Sequence, residues 1–159
     1  MGDEPREDRD NPGVIAPPPL IYAGVLAAGL LINRLCPISF LPRPISRALG
    51  WPSVLAGLTI GLLGFREMKR AETNVDPYKP TTAIVVAGPY RYTRNPLYVG
   101  MTLIYAGFAA RANALPAALL LPAVLAVIRR GVIEREERYL ERKFGDEYLQ
   151  YKGRVRRWL

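Results

Sequence analysis

The sequence predicts an all-α integral membrane protein with four transmembrane helices and a cytoplasmic C-terminal amphipathic helix. Half of the 159 residues are apolar and 23% are charged, but the two classes occupy different stretches of the chain. Four long apolar runs lack the polar face that each helix of a soluble bundle would need. Basic residues collect at the ends of these runs. Together these patterns favour a membrane protein over a soluble four-helix bundle.

The four apolar runs predict spans at about residues 20–36, 49–66, 96–110 and 113–130. Each is near the short end of the roughly 17 to 25 residues that cross about 30 Å of hydrocarbon. Residues 1–19 are acidic and rich in proline, so we expect a disordered lead-in. Residues 20–159 are expected to form one domain, with C-terminal helices over residues 131–152.

Topology follows from the distribution of Lys and Arg, because cytoplasmic loops collect them. With four spans, the side holding both termini and the second connection carries 18 of the 22 basic residues. We therefore expect a multi-pass protein of the cell inner (cytoplasmic) membrane with both termini cytoplasmic. Attraction to anionic lipids accounts for these charges at about 1 kcal/mol each. Membrane lipids are the expected partners, and nucleic acid is not.

Metal and disulfide chemistry are disfavoured by composition. Cys36 is the single cysteine, so no internal disulfide and no cysteine cluster for zinc can form. The chain has no histidine, which removes the usual metal ligand and the usual general base at neutral pH. We expect no metal site.

The segment GPYRYTRNPLYVG, residues 88–100, predicts an anion-binding site at the start of the third span. Pro96 suits the first turn of a helix, with Asn95 as its cap. The next amides lack helical partners and present the positive end of the helix dipole. Arg91 and Arg94 lie beside them, which favours a receptor for a carboxylate or phosphate. The alternative is a basic juxtamembrane anchor with interfacial tyrosines.

Three further positions in the apolar spans are candidates for substrate access. Gly100 leaves backbone exposed to a close neighbour, one turn into the third span. Pro116 and Pro122 should bend the fourth span and open space between helices. An apolar acceptor could enter there from the bilayer.

Glu136 and Glu137 interrupt an apolar stripe in the predicted C-terminal helix. The stripe is formed by Ile133, Leu140 and Phe144, so the carboxylates border the face that should turn inward. The alternative is a solvated charge run that pairs with nearby arginines. Combined with the residue 88–100 segment, the carboxylates would give one site with an anion-binding and a cation-binding end. A zwitterion with extra positive charge would suit it.

These two motifs resemble the integral-membrane methyltransferases of the isoprenylcysteine carboxyl methyltransferase and phospholipid methyltransferase superfamily. GPYRYTRNPLYVG is followed some forty residues later by EREERYLERKFGDEYLQY, and the resemblance covers residues 66–159. It implies that the chain is an enzyme that binds S-adenosylmethionine between the motifs. The cofactor-binding residues it implies are Gly88, Pro89, Tyr90, Arg91, Arg94, Asn95, Pro96, Tyr98, Glu136 and Glu137.

The catalytic residues expected from the resemblance are Arg94, Asn95 and Glu137. Many members have histidine where this chain has Asn95. Asparagine keeps a hydrogen bond but exchanges no proton near neutral pH. Methyl transfer from a sulfonium depends mostly on alignment and exclusion of water. An acceptor that is already anionic needs no base.

The methyl acceptor is expected to be hydrophobic or attached to a lipid, and to offer a carboxylate, a thiol or an amine. Generic apolar residues line every span, so the sequence does not choose among these. Two other functions remain open: a membrane reductase related to sterol reductases, and a non-catalytic membrane binding protein. The sequence predicts no oligomeric state.

Overall fold

The computed structural model describes residues 10–159, and within this range the chain is helical without strands. Residues 1–9 of the predicted lead-in lie outside the described part. Six α-helices follow one another, with a 3-10 turn at Gly88–Arg91 before the third and a π-helical turn at Arg129–Ile133 after the fourth. The helices are α1 (Pro18–Leu35), α2 (Arg43–Arg70), α3 (Pro96–Arg111), α4 (Leu115–Ile128), α5 (Glu134–Phe144) and α6 (Asp146–Arg154).

The four long helices alternate in direction. Gly50 near the start of α2 faces Arg111 at the end of α3, and Gly64 near the end of α2 faces Pro96 at the start of α3. In the same way, the amide of Leu115 at the start of α4 donates to a carbonyl just after α1, 3.0 Å away. We call the end of the bundle that holds the start of α3 the motif end, and the opposite end the far end. Residues 10 and 159 both lie toward the motif end.

Three helices are long and apolar enough to cross a membrane: Pro18–Leu35, Arg43–Arg70 and the continuous helix Leu115–Phe144. α3 has 16 residues, or about 24 Å at 1.5 Å per residue. The predicted count of four spans is therefore not confirmed by helix length. α3 is nonetheless the central helix of the bundle, since it contacts α1, α2 and α4 and buries Tyr105 and Ala109.

α2 and α3 approach each other through glycines. A Cβ atom built on Gly57 would lie 2.5 Å from the carbonyl oxygen of Gly100, and one on Gly100 would lie 2.7 Å from that of Gly57. The Gly100 Cβ would also come within 3.1 Å of the Gly61 amide nitrogen. Small residues at such positions let two helix backbones touch inside a membrane. Gly100 thus closes the α2–α3 contact, and the lateral opening predicted there is wrong.

Polar side chains inside the bundle bond to backbone carbonyls of the neighbouring helix. Ser46 and Ser53 of α2 donate to α3 carbonyls at 2.6 and 2.8 Å. Tyr105 of α3 donates to the carbonyl of Ala117 in α4 at 2.8 Å. Buried hydroxyls must find such partners because hydrocarbon offers none. These bonds hold α3 between α2 and α4.

The two prolines of α4 occupy different places. Pro116 is the second residue of the helix, where proline suits the first turn and produces no bend. The bend predicted there is therefore wrong. Pro122 lies inside α4 and is exposed, and its missing amide removes one helical hydrogen bond. The helix nevertheless continues through the π-helical turn into α5.

Residues 10–17 depart from the expectation of a disordered lead-in. Val14 is buried with 6% of its surface exposed, and the amide of Ile15 donates to the Gly131 carbonyl at 3.3 Å. Asp10 accepts two hydrogen bonds from the ammonium of Lys143, at 2.6 and 2.7 Å. The apolar pair Val14 and Ile15, placed before α1, gives this segment a surface to bury against the helix that follows α4.

Candidate functional site

A cleft opens at the motif end between the start of α3, the helices α5 and α6, and the connection between α2 and α3. It contains about 880 Å³ of unfilled space, including the part open to solvent at its mouth. Its lining residues are Pro12, Met68, Thr73, Asn74, Val75, Asp76, Pro77, Thr81, Ala83, Ile84, Val85, Tyr90, Arg94, Asn95, Pro96, Leu97, Tyr98, Glu136, Glu137, Tyr139, Leu140, Tyr148 and Tyr151.

One wall of the cleft is the α2–α3 connection, residues 71–87, which has no regular secondary structure. The hydroxyl of Thr73 accepts the amide of Thr82 at 3.0 Å, and the side chain of Asn74 donates to the Pro80 carbonyl at 2.7 Å. The amide of Thr81 donates to the hydroxyl of Tyr139 in α5 at 3.1 Å. The connection is thereby folded on itself and held against α5 across the cleft.

The segment that enters α3 is held by the C-terminal residues. The amide of Arg94 donates to the Arg156 carbonyl at 2.9 Å, and the Thr93 hydroxyl donates to the Arg157 carbonyl at 3.0 Å. Asn95 is the N-cap residue of α3, but its side chain makes no capping bond. Its amide group donates to the Arg157 carbonyl at 3.0 Å instead. The predicted position of Asn95 as the cap of α3 is confirmed, but its side chain is bonded to this carbonyl and makes no capping bond.

Glu137 holds two arginines together. Its carboxylate accepts two bonds from Arg157, at 2.9 and 2.7 Å, and lies 3.2 Å from an outer nitrogen of Arg94. The side chains of Arg94 and Glu137 are 9% and 8% exposed. The Nε atom of Arg94 is buried and has no hydrogen-bond partner among residues 10–159. Since buried donors are rarely left unpaired, this atom has hydrogen-bonding capacity that the described residues do not use.

Glu136 has a different environment from its neighbour. One of its oxygens accepts the Tyr98 hydroxyl at 2.6 Å. No cation lies within 4 Å of the Glu136 carboxylate among the described residues, whereas Glu137 has two. Glu136 is therefore the carboxylate with capacity left for a positively charged ligand group.

Tyrosines complete the walls near Arg94. The Tyr148 hydroxyl accepts a bond from Arg94 at 3.4 Å, and the Tyr151 hydroxyl donates to the Tyr90 carbonyl at 2.8 Å. Burial raises the pKa of Tyr148 to about 12, and Glu137 nearby adds to the rise. Burial also raises the pKa of Tyr90 and of Tyr151. All three phenols therefore stay neutral at physiological pH.

The structure brings together most of the predicted binding residues. Tyr90, Arg94, Asn95, Pro96, Tyr98, Glu136 and Glu137 all line the cleft. Gly88, Pro89 and Arg91 do not line it, and they form the 3-10 turn with Tyr90. Gly88 has a φ of +58°, and a Cβ there would meet the side chain of Glu67 at 2.8 Å. Arg91 is exposed.

Sequence reasoning missed several members of the site. Leu140 was assigned only to the apolar stripe of the C-terminal helix, and Tyr139, Tyr148, Tyr151 and Arg157 were given no role in the site. Their signal was weak because tyrosines three residues apart fit any amphipathic helix. Only the fold shows that α6 and the C-terminal residues return to the start of α3.

The lining suits a zwitterionic ligand with an additional positive charge. Arg94 offers a free donor, Glu136 a carboxylate without a cation, and the tyrosines neutral hydroxyls. Ile84, Val85 and Leu140 supply apolar surface for a ring or an alkyl group. This combination fits S-adenosylmethionine, which carries a carboxylate, an ammonium, a ribose, a base and a sulfonium.

Comparison with known proteins places the chain in a family. Residues 45–147 match the family model described as Phospholipid methyltransferase. An uncharacterized protein of Haemophilus influenzae is 67% identical over 33 residues, which cover 21% of this chain and 52% of that protein. The chain thus matches about half the length of this curated relative. No solved structure matches the chain. Since the family match covers well over half of the residues and includes most of the residues that line the cleft, the chain belongs to the phospholipid methyltransferase family.

Proposed function

We propose that this protein is an integral-membrane methyltransferase that moves the methyl group of S-adenosylmethionine to a hydrophobic or lipid-attached acceptor at the cytoplasmic membrane face. The observation that carries the proposal is the cleft at the motif end. It combines the buried, unpartnered Nε of Arg94 with the uncompensated carboxylate of Glu136. Family membership supports the reaction class.

We assign different tasks to the polar residues of the cleft. Arg94 would bind the carboxylate of the cofactor, because charge-assisted bonds to arginine are strong and its Nε has no other partner. Glu136 would bind a cationic group, oriented by the hydrogen bond from Tyr98. Glu137 would position Arg94, because it lies between two guanidinium groups. The bound cofactor supplies a methyl group on a sulfonium, an electrophile that needs no metal.

The chain's own contribution is alignment and exclusion of water. The bound cofactor would supply the methyl carbon to the acceptor atom, and its sulfur would keep the electron pair of the broken carbon–sulfur bond. The α2–α3 connection, held to Tyr139, would limit water from its side of the cleft. Asn95 lines the cleft with its side chain bonded to a carbonyl, so it acts as no base. A carboxylate or thiolate acceptor is compatible with a site that has no general base, whereas an amine acceptor would have to bind in its unprotonated form.

We further propose that α3 crosses the membrane with the three longer helices, making four crossings. The alternating helix directions support this, since residues 10 and 159 lie toward the same end and an even number of crossings is required. Large apolar side chains exposed on α1, α2 and α4 suit contact with lipid, among them Leu31, Leu62 and Leu119 at 58%, 67% and 68% exposure. Among the basic residues of the described range 10–159, only Arg34, Arg43, Arg47 and Arg111 lie toward the far end. The excess of basic residues at the motif end supports a cytoplasmic position for the cleft.

Calorimetry of the purified protein in nanodiscs, titrated with S-adenosylmethionine and its demethylated product, tests the proposal. Glu136→Gln should weaken binding by about 1.5–3 kcal/mol, the value of a lost hydrogen bond to a charged group. Glu147→Gln is the matched control, because Glu147 is exposed on α6 and has no cation within 4 Å among residues 10–159. Binding that is absent in the wild type, or equal in both variants, would remove the cofactor assignment.

Turnover needs a separate measurement. Lipid extracts incubated with the protein and methyl-labelled cofactor should yield a labelled lipid-soluble product, which mass spectrometry identifies as an ester, a thioether or an alkylated amine. Cofactor binding without any labelled product, across extracts that span these acceptor classes, would favour a non-catalytic binding protein.

A further inference from the structure

A second cavity lies between α3 and α4, separate from the cleft. It contains about 1,140 Å³ of unfilled space, including its open part. Its walls are Val99 and Leu103 of α3 and Leu125 and Ala126 of α4. Trp158 also lines it and packs against the central apolar cluster. We call this cavity the α3–α4 groove.

The groove and the cleft have different walls. Along the chain, the cleft is lined by the consecutive residues 95–98, whereas the groove is lined by Val99, Thr102 and Leu103 of α3. Among residues 10–159, no residue lines both spaces. A molecule in the groove therefore contacts different side chains from a molecule in the cleft.

The groove has an apolar body and a basic mouth. Arg129 and Arg130 line it at the motif end, where α4 passes into the π-helical turn. Arg129 bonds Glu134 at 3.1 Å. Within residues 10–159, Arg130 has no carboxylate within 4 Å. At least one positive charge at the mouth is thus uncompensated by the described residues.

The long side of the groove opens at the apolar surface of the bundle. Ala126 is exposed there, and the neighbouring Val127 is 43% exposed. In a multi-pass membrane protein this surface faces lipid, while arginines at the end of a span reach the headgroup layer. The groove therefore spans from the hydrocarbon to the headgroups along α4.

We propose that the α3–α4 groove binds a bilayer lipid with an anionic phosphate headgroup, and that this lipid is not the methyl acceptor. Its acyl chain lies along Leu103 and Ala126, and its phosphate meets Arg129 and Arg130. Arginine binds phosphate through paired donors, and a groove at the bilayer surface is continuously exposed to lipid. Because Arg129 and Arg130 form the mouth of the groove and do not line the cleft, they hold the headgroup away from Glu136. The proposal rests on the membrane location and not on methyl transfer.

Native mass spectrometry of protein released from nanodiscs tests this proposal with phosphatidylglycerol against phosphatidylcholine. The wild type should retain phosphatidylglycerol in preference. Arg130→Gln should reduce that preference about fivefold, as expected for one basic residue near a membrane surface. Arg138→Gln is the control, since Arg138 is exposed on α5 at the same end and does not line the groove.

A second pair of variants tests the apolar body. Ala126→Phe should displace both lipids by filling the groove, and Ala123→Phe, exposed on the same helix but outside the groove, should not. Glu136→Gln should leave lipid retention unchanged. Equal loss in Arg130→Gln and Arg138→Gln, or normal retention in Ala126→Phe, would overturn the proposal. Cofactor calorimetry on Arg130→Gln should match the wild type, so failure of methyl transfer and failure of lipid binding are distinguishable.

Discussion

Replacing Gly100 with alanine tests whether α2 and α3 are joined by direct backbone contact. The added methyl carbon would lie 2.7 Å from the Gly57 carbonyl oxygen and 3.1 Å from the Gly61 amide nitrogen. Both are backbone atoms, which cannot rotate away as a flexible side chain would. The two helices must therefore separate, or the new side chain must remain strained.

The expected loss is the difference between two effects. Overpacking in a close-packed interior costs about 1–3 kcal/mol. Alanine in place of glycine within a helix recovers about 0.5–1 kcal/mol. The difference of the central values predicts that Gly100→Ala lowers the free energy of unfolding by about 1 kcal/mol, with an upper bound of about 2.5 kcal/mol. The matched control is Gly61→Ala, whose Cβ would meet nothing within 4 Å and which should be neutral or stabilising by up to about 1 kcal/mol.

The free energy of unfolding can be measured for both variants by titration with sodium dodecyl sulfate in mixed micelles, with helicity followed by circular dichroism. A Gly100→Ala variant as stable as the wild type would refute the close contact. So would a Gly61→Ala variant that loses as much stability as Gly100→Ala, because a general intolerance of alanine in these helices would then explain both.

Three other outcomes are expected. Glu137→Gln should destabilise the fold by about 3–5 kcal/mol, because two arginines lose the carboxylate that they share. The control variant Glu147→Gln should be as stable as the wild type, and equal thermal unfolding of the two variants would contradict this. Tyr98→Phe should weaken cofactor binding in calorimetry by about 1.5–3 kcal/mol with little effect on unfolding, and unchanged affinity would contradict the role given to its hydroxyl. The hydrogen bond from Lys143, followed by that from Tyr139, holds the pKa of Asp10 below its ordinary value. Its contribution to stability is thus present above that value and lost as the pH falls, so spin labels on residues 12 and 142 should separate in acid, and Asp10→Asn should remove this pH dependence.

The sequence alone was sufficient for the helical membrane class and for the two halves of the candidate site. Long apolar runs have few other structures available, because backbone groups in hydrocarbon must bond within their own helix. Arg94 and Glu136 could be singled out from the sequence because each is a charged residue in an unusual place. Arg94 lies just before a helix that starts with proline, and Glu136 interrupts an apolar stripe. Family membership agrees with the resemblance of the two motifs.

The tertiary structure determines which partner each charged residue of the two halves has. Sequence could not tell Glu136 from Glu137, because both carboxylates border the same apolar stripe and the partners of each lie far away in the chain. Only the return of the C-terminal residues to the start of α3 gives Glu137 the two arginines and leaves Glu136 with Tyr98. The same long-range contact gives the Asn95 side chain a carbonyl to bond, so it does not cap the helix.

The sequence also did not predict which helix faces pack against each other. Gly100 looked like an opening because a glycine leaves backbone exposed, and whether lipid or another helix fills that space depends on which face turns toward α2. The structure places Gly57 there. A local pattern determines which side chains a helix offers, but the partner of each face is determined by contacts between residues far apart in the chain, and these exist only once the helices have packed.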